Sequence, residues 1–89
     1  IISGDETEKN KPHPEPYLFM MEKLNVKPDN VVVVEDSLNG IQAALASGAA
    51  VIAKTGSVPE SDLSIAHRII THLDEITHNM IEDLLQGDK

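Results

Sequence analysis

Residues 31–41 have the sequence VVVVEDSLNGI, in which four β-branched residues run directly into two adjacent carboxylates. An unbroken β-branched run is typical of a parallel strand that is buried on both faces of its sheet. A polar turn follows the strand, and a helical pattern begins after the turn. We therefore predict that a buried strand delivers Glu35 and Asp36 at its carboxyl end, where open α/β sheets bind their ligands.

Glu35 and Asp36 are candidate metal ligands. Two neighbouring carboxylates repel each other, so a cation is the simplest group that would stabilise the pair, and Mg²⁺ is a hard ion that prefers oxygen ligands. A structural role is the alternative, because acidic side chains near the N-terminus of a helix also favour the helix dipole. The buried character of Val31–Val34 favours the functional interpretation.

Working outward from this strand, strand and helix patterns alternate along the chain. Alternation of this kind predicts an α/β fold with a Rossmann-like parallel sheet and flanking helices. On the first helix, one apolar face combines Tyr17, Met20, Met21 and Leu24. The predicted strands cover residues 1–3, 31–36, 49–54 and 69–71, and the predicted helices begin near Glu15, after an N-cap at Ser37, near Pro59 and at a cap on Asp74.

Composition narrows the range of functions. The 89 residues make at most one small domain, and the formal charge of -8 argues against a nucleic-acid backbone or an anionic membrane surface as partner. The sequence contains no cysteine, no signal peptide and no apolar run near the roughly 20 residues that a membrane span needs. We therefore expect a reducing, cytoplasmic setting.

Lys11 and the turn after Asp36 are further candidates for binding a phosphate. Lys11 lies in the segment Lys11-Pro-His-Pro14, whose prolines restrict the backbone, so that the lysine loses less entropy on binding. A solvated surface lysine is the alternative. Ser37 and Asn39, with Gly40, form the turn into the next helix and could present backbone N–H groups to an anion, with simple helix capping as the alternative.

Together these residues resemble the haloacid dehalogenase (HAD) superfamily, and within it the β-phosphoglucomutase-like phosphatases and phosphomutases. The resemblance rests on residues 11–14, 31–44, 47–49 and 66–76 and covers nearly the whole chain. It implies that Lys11 stabilises the charge of the nucleophile and the transferring phosphoryl group, and that Glu35 and Asp36 hold Mg²⁺. The implied substrate is a small phosphorylated metabolite such as a sugar phosphate, and the implied reaction passes through an aspartyl phosphate.

The family's aspartate nucleophile and acid–base aspartate, carried in a DxDx[TV] motif, have no counterpart because no Asp-x-Asp occurs in the sequence. We therefore expect residues 1–89 to be the C-terminal portion of a HAD-like core domain, a βαβαβαβα unit without its nucleophile strand and cap domain, and inactive alone. The alternatives are a non-catalytic HAD-like binding or interaction module and a receiver-like phospho-acceptor domain. The Lys-Pro-x-Pro segment argues against a receiver, in which the lysine should follow the acidic strand.

The resemblance also predicts a topology. In the family's sheet, two strands separate the one represented by residues 1–3 from the one represented by residues 31–34. We therefore expect residues 31–34 to pair with residues 51–53 and to lack a neighbour on the other edge. An unpaired edge of this kind invites association with another chain.

Overall fold

A computed structural model describes residues 2–3 and 13–87, which form a parallel sheet with helices on both faces. The strands are β1 (Ile2–Ser3), β2 (Val32–Glu35), β3 (Ala50–Lys54) and β4 (Arg68–Ile70), and the helices are α1 (Glu15–Leu24), α2 (Leu38–Ala46) and α3 (His78–Leu85). Short 3₁₀ turns cover Pro28–Asn30, Glu60–Leu63 and Leu73–Glu75. The predicted α/β class and parallel sheet are confirmed.

The buried strand predicted from the four valines is confirmed as β2. It pairs in parallel with β3, with Val33 opposite Val51 and Glu35 opposite Ala53. Because side chains alternate across a strand, successive valines serve two separate cores. Val31 and Val33 pack with Tyr17, Met21 and Ile41 on the α1–α2 face, whereas Val32 packs with Ile52, Ile70 and Leu84 on the α3 face.

The expected gap beside β2 is wrong. In the structure β1 pairs directly and in parallel with β2, with Ile2 opposite Val33 and Ser3 opposite Val34. Backbone N–H and C=O groups at a strand edge require partners, and within the described residues β1 is the strand that supplies them. The unpaired edge from which an association with another chain was expected is therefore absent at Val33 and Val34.

Two of the predicted helices differ in the structure. The segment 59–66 forms the 3₁₀ turn Glu60–Leu63 rather than an α-helix. The last helix begins after Thr77 and not at Asp74, because the Thr77 hydroxyl accepts a hydrogen bond from the backbone N–H of Met80 at 3.1 Å. Asp74 lies instead in the 3₁₀ turn Leu73–Glu75.

The predicted apolar face of α1 is buried only in part. Tyr17 and Met21 are buried and Met20 is half-buried, but Leu24 is 59% exposed. Leu24 is the last residue of α1, and the chain leaves the helix at Asn25 in a left-handed conformation with φ 58°.

Glu75 organises the turn before α3. Its carboxylate accepts hydrogen bonds from the backbone N–H groups of His72 at 2.8 Å and Thr71 at 2.9 Å. These two bonds hold the pKa of Glu75 below its ordinary value of 4.5, and the bond from His72 has the larger effect. A lowered pKa in the folded chain means that the ionised carboxylate contributes stability above pH 4.5, and that this contribution is lost as the pH falls through the folded-state value.

We expect the stability difference between the unmodified chain and Glu75→Gln to be constant above pH 4.5 and to shrink below it. Urea denaturation followed at a series of pH values measures this difference. Glu60→Gln, an exposed position in the neighbouring 3₁₀ turn, is the control. An unchanged difference between the chain and Glu75→Gln down to the acid transition would contradict the assignment.

Candidate active site

Glu35 and Asp36, the two candidate metal ligands, lie at the carboxyl end of β2, where the chain turns into α2. Glu35 is the last residue of β2, and Ser37 is the N-cap of α2. The Ser37 hydroxyl accepts a hydrogen bond from the backbone N–H of Gly40 at 3.0 Å, which confirms the predicted cap. Asp36 is therefore held between a strand end and a capped helix start.

Glu35 is a buried carboxylate with only 4% of its surface exposed. It accepts a hydrogen bond from the hydroxyl of Tyr17, which is itself completely buried in α1. Its other oxygen, Oε1, accepts from the backbone N–H of Asp36 at 3.3 Å. A carboxylate taken out of water is costly unless it is hydrogen-bonded, and these donors offset that cost.

Gly40 makes room for the Glu35 carboxylate. A Cβ atom at position 40 would overlap both carboxylate oxygens of Glu35. Gly40 is also buried and lies in the first turn of α2. The missing side chain thus lets the N-terminal turn of α2 approach the end of β2 closely.

Asp36 faces a more polar and more open environment than Glu35. It is half-buried, and its Oδ2 accepts a hydrogen bond from the hydroxyl of Ser57 at 2.9 Å. Ser57 lies in the loop that follows β3, which ends beside β2 in the sheet. Sequence reasoning missed Ser57, although its position just beyond the carboxyl end of a parallel strand was an available signal.

The predicted site residues are only partly brought together. Glu35 and Asp36 adjoin, but their side-chain partners differ, since Tyr17 binds one and Ser57 binds the other. Asn39 is exposed in the first turn of α2. Lys11 lies outside the described residues.

The donor atoms of the acidic pair fit Mg²⁺ as part of a site. No group of three or more His, Cys, Asp or Glu side chains suited to a metal ion occurs among residues 2–3 and 13–87. Mg²⁺ is commonly bound through one or two carboxylates, with water and substrate phosphate completing its ligands. The Asp36 carboxylate is a hard oxygen donor in the more open, polar position, which suits this kind of site.

Among the described residues, no helix has the length and apolar character needed to cross a membrane.

Comparison with known proteins places these features in a family. The model of the haloacid dehalogenase-like hydrolases matches residues 1–54. A phosphorylated carbohydrates phosphatase of Thermotoga maritima is 48% identical over 48 residues, which are 54% of this chain and 22% of that protein. The chain thus spans about a fifth of the length of this relative.

Solved structures agree with this match. A HAD hydrolase of family IA, variant 3, from Entamoeba histolytica superposes with a TM-score of 0.79 and 34% identity over 97% of this chain and 40% of that one. A β-phosphoglucomutase of Clostridium difficile shares the fold, with a TM-score of 0.74 and 24% identity over 88% of this chain and 34% of that one. The resemblance inferred from residues 11–14 and 31–44 is confirmed: the chain belongs to the haloacid dehalogenase-like hydrolases.

Proposed function

We propose that the chain is part of a Mg²⁺-dependent phosphatase or phosphomutase that acts on a small phosphorylated metabolite, such as a sugar phosphate. The observation that carries the proposal is the position of Asp36, which lies at the carboxyl end of β2 directly before the capped start of α2. Family membership supports it, as does the phosphorylated carbohydrate named for the Thermotoga maritima relative.

In this proposal Asp36 and Glu35 hold the metal ion. Asp36 supplies the direct carboxylate ligand, since its side chain lies in the more open, polar position. Glu35 supplies the second negative charge and, through its bond to the Asp36 backbone N–H, fixes the neighbouring ligand. Bound Mg²⁺ supplies positive charge to the phosphoryl oxygens of the substrate.

The remaining residues act on the phosphoryl group in the same proposal. Lys11 stabilises the negative charge of the nucleophile and of the transferring phosphoryl group. Asn39, exposed in the first turn of α2, is the residue we propose to face the phosphate, where the helix dipole favours an anion. Ser37 has its hydroxyl bonded to Gly40, and so it contributes chiefly by holding that turn in place.

The phosphoryl group is proposed to pass to an aspartate outside this sequence, because the 89 residues contain no Asp-x-Asp motif. The aspartate oxygen bonds to phosphorus as the ester P–O bond breaks, and the leaving alcohol takes a proton from the acid–base aspartate of the same motif. Water or a second hydroxyl then gives its proton back to that residue and bonds to phosphorus, which breaks the bond to the nucleophilic aspartate and frees it. This chain contributes charge stabilisation and metal binding to both steps. The cytoplasmic setting stays a prediction from sequence.

We expect the pure 89-residue chain to show no hydrolysis of p-nitrophenyl phosphate or sugar phosphates above background with Mg²⁺ present, because it lacks a nucleophile. A colorimetric assay for released p-nitrophenol or phosphate measures this. Turnover that depends on Mg²⁺ and is abolished by Asp36→Asn would contradict the proposed division of the site. Incubation with acetyl phosphate should leave the mass unchanged, whereas phosphorylation at Asp36 would favour the receiver-like alternative.

A further inference from the structure

Tyr17 contacts the candidate metal site through Glu35, but the proposed function gives it no role. Its side chain is completely buried in α1, and its hydroxyl donates a hydrogen bond to Oε2 of Glu35. We propose that Tyr17 is a positioning residue, whose bond to Glu35 fixes Asp36 in the orientation that binds Mg²⁺. This inference rests on the proposed function, because Asp36 is taken there as the metal ligand.

A continuous chain of contacts leads from Tyr17 to Asp36. The hydroxyl of Tyr17 holds one oxygen of the Glu35 carboxylate, and the other oxygen accepts from the Asp36 backbone N–H at 3.3 Å. The carboxylate therefore bridges α1 and the backbone of the residue that follows β2. Loss of the hydroxyl would remove the Tyr17 hydrogen bond from this bridge without altering any side chain at Asp36.

The surroundings keep the bridge in one arrangement. Glu35 is only 4% exposed, so that its carboxylate has little freedom to turn toward solvent. Gly40 admits the carboxylate from the α2 side, because a Cβ atom there would overlap its oxygens. Ser37 fixes Gly40 in turn through its hydroxyl. The carboxylate is thus held between the starts of α1 and α2.

The hydroxyl, rather than the aromatic ring, is the feature that points to this role. Phe19, the other aromatic residue of the chain, lies on the outside of α1, where it is 61% exposed and the Lys23 amine lies 5.2 Å from its ring centre. At position 17 a phenylalanine would supply the apolar bulk of the core equally well. The phenol adds a donor aimed at a buried carboxylate, which is the pattern by which outer residues orient metal ligands.

The experiment compares Tyr17→Phe with the unmodified 89-residue chain in two measurements. Titration with Mg²⁺ followed by isothermal calorimetry should show an affinity weaker by about tenfold. The ¹H–¹⁵N spectrum without metal should show a displaced Asp36 amide signal with faster hydrogen exchange. Thr77→Ala is the matched control, since it removes a helix cap on the α3 face and should leave the Asp36 amide and the Mg²⁺ affinity unchanged.

A double-mutant cycle distinguishes a positioning role of Tyr17 from a general loosening of the fold by Tyr17→Phe. In the Glu35→Gln background, Tyr17→Phe should change the Mg²⁺ affinity by less than about twofold. The carboxylate that connects Tyr17 to the Asp36 backbone is then already replaced. Equal effects in both backgrounds would overturn the proposal. If Tyr17→Phe does not fold, the unmodified chain still provides a test, because the bonded Tyr17 hydroxyl proton should exchange slowly enough to give its own NMR signal. Absence of that signal would overturn the proposal.

Failure of the proposed function gives a different result. In that case the unmodified chain would not bind Mg²⁺ at all, while Tyr17→Phe would still displace the Asp36 amide signal. An Asp36 amide that does not respond to Tyr17→Phe would instead overturn the positioning role, whatever the metal affinity.

Discussion

Gly40→Ala is expected to destabilise the chain by about 2 kcal/mol or to prevent folding. Alanine in a helix is intrinsically better than glycine by about 1 kcal/mol, so that local propensity predicts the opposite sign. The added Cβ would overlap the buried Glu35 carboxylate, and overpacking of this kind costs roughly 1–3 kcal/mol or more. The clash outweighs the propensity because the hydrogen bond to Tyr17 keeps the carboxylate in place.

Urea denaturation tests whether Gly40→Ala lowers the free energy of unfolding. The variants compared are Gly40→Ala, Glu35→Ala, the double variant of the two, and Asn39→Ala. In the Glu35→Ala background the obstacle is gone, and Gly40→Ala should then be neutral or stabilising by up to about 1 kcal/mol. Asn39→Ala, at the neighbouring exposed position of α2, is the control and should change stability by only a few tenths of a kcal/mol. A stabilised Gly40→Ala in the unmodified background would show that Glu35 does not occupy the space beside Gly40.

Asp36→Asn is expected to weaken Mg²⁺ binding by about 100-fold, which corresponds to roughly 2.7 kcal/mol. Asparagine keeps one oxygen donor but loses the negative charge, and the attraction between a carboxylate and a divalent ion is the larger contribution. Because Asp36 is half-buried, solvent screens this attraction less than it would for a fully exposed carboxylate.

Calorimetric titration with Mg²⁺ measures the loss, and the chain offers a matched control. Asp29→Asn removes the same charge from an exposed residue in the Pro28–Asn30 turn, which precedes β2 and so lies toward the opposite end of the strand. It should change the affinity by less than about threefold, through long-range attraction alone. Equal losses in the two variants would mean that Mg²⁺ responds to the overall charge of -8 and not to a site.

The features that could be predicted from sequence are local ones. Val31–Val34 indicated a buried strand because β-branched residues without polar interruption suit a sheet covered on both faces. Ser37 indicated a cap because its hydroxyl needs only to reach three residues along the chain, to Gly40. The position of Asp36 at the end of β2 follows from these two.

The contacts that define the site are long-range, and sequence patterns did not reveal them. Tyr17 and Glu35 are 18 residues apart, and Tyr17 fits the apolar spacing of α1 as well as a purely hydrophobic residue would. Ser57 and Asp36 are 21 residues apart. Both pairs meet only in the folded chain, where α1 packs on one face of β2 and β3 lies beside β2 in the sheet.

The wrong predictions have physical causes of the same kind. The prediction that β1 and β2 are separated was based on the complete sheet of the family. In this chain β1 pairs with β2, because pairing depends on which strand edges are available. Asp74 and Thr77 are both suitable N-caps, and in the structure α3 begins after Thr77. The Glu75 carboxylate binds the backbone N–H groups of Thr71 and His72, and these bonds hold residues 73–75 in a separate turn before the helix.

The carboxyl end of β2 is proposed to be a metal site built on Asp36. Titration of the ¹⁵N-labelled 89-residue chain with Mn²⁺, a paramagnetic substitute for Mg²⁺, tests it most directly by NMR line broadening. We predict broadening that begins at the amides of Asp36, Ser37 and Ser57, is reversed by excess Mg²⁺, and disappears from these amides in Asp36→Asn. Broadening spread over exposed acidic residues such as Glu82 and Asp83, with the Asp36 amide unaffected, would show that Asp36 does not bind the metal ion.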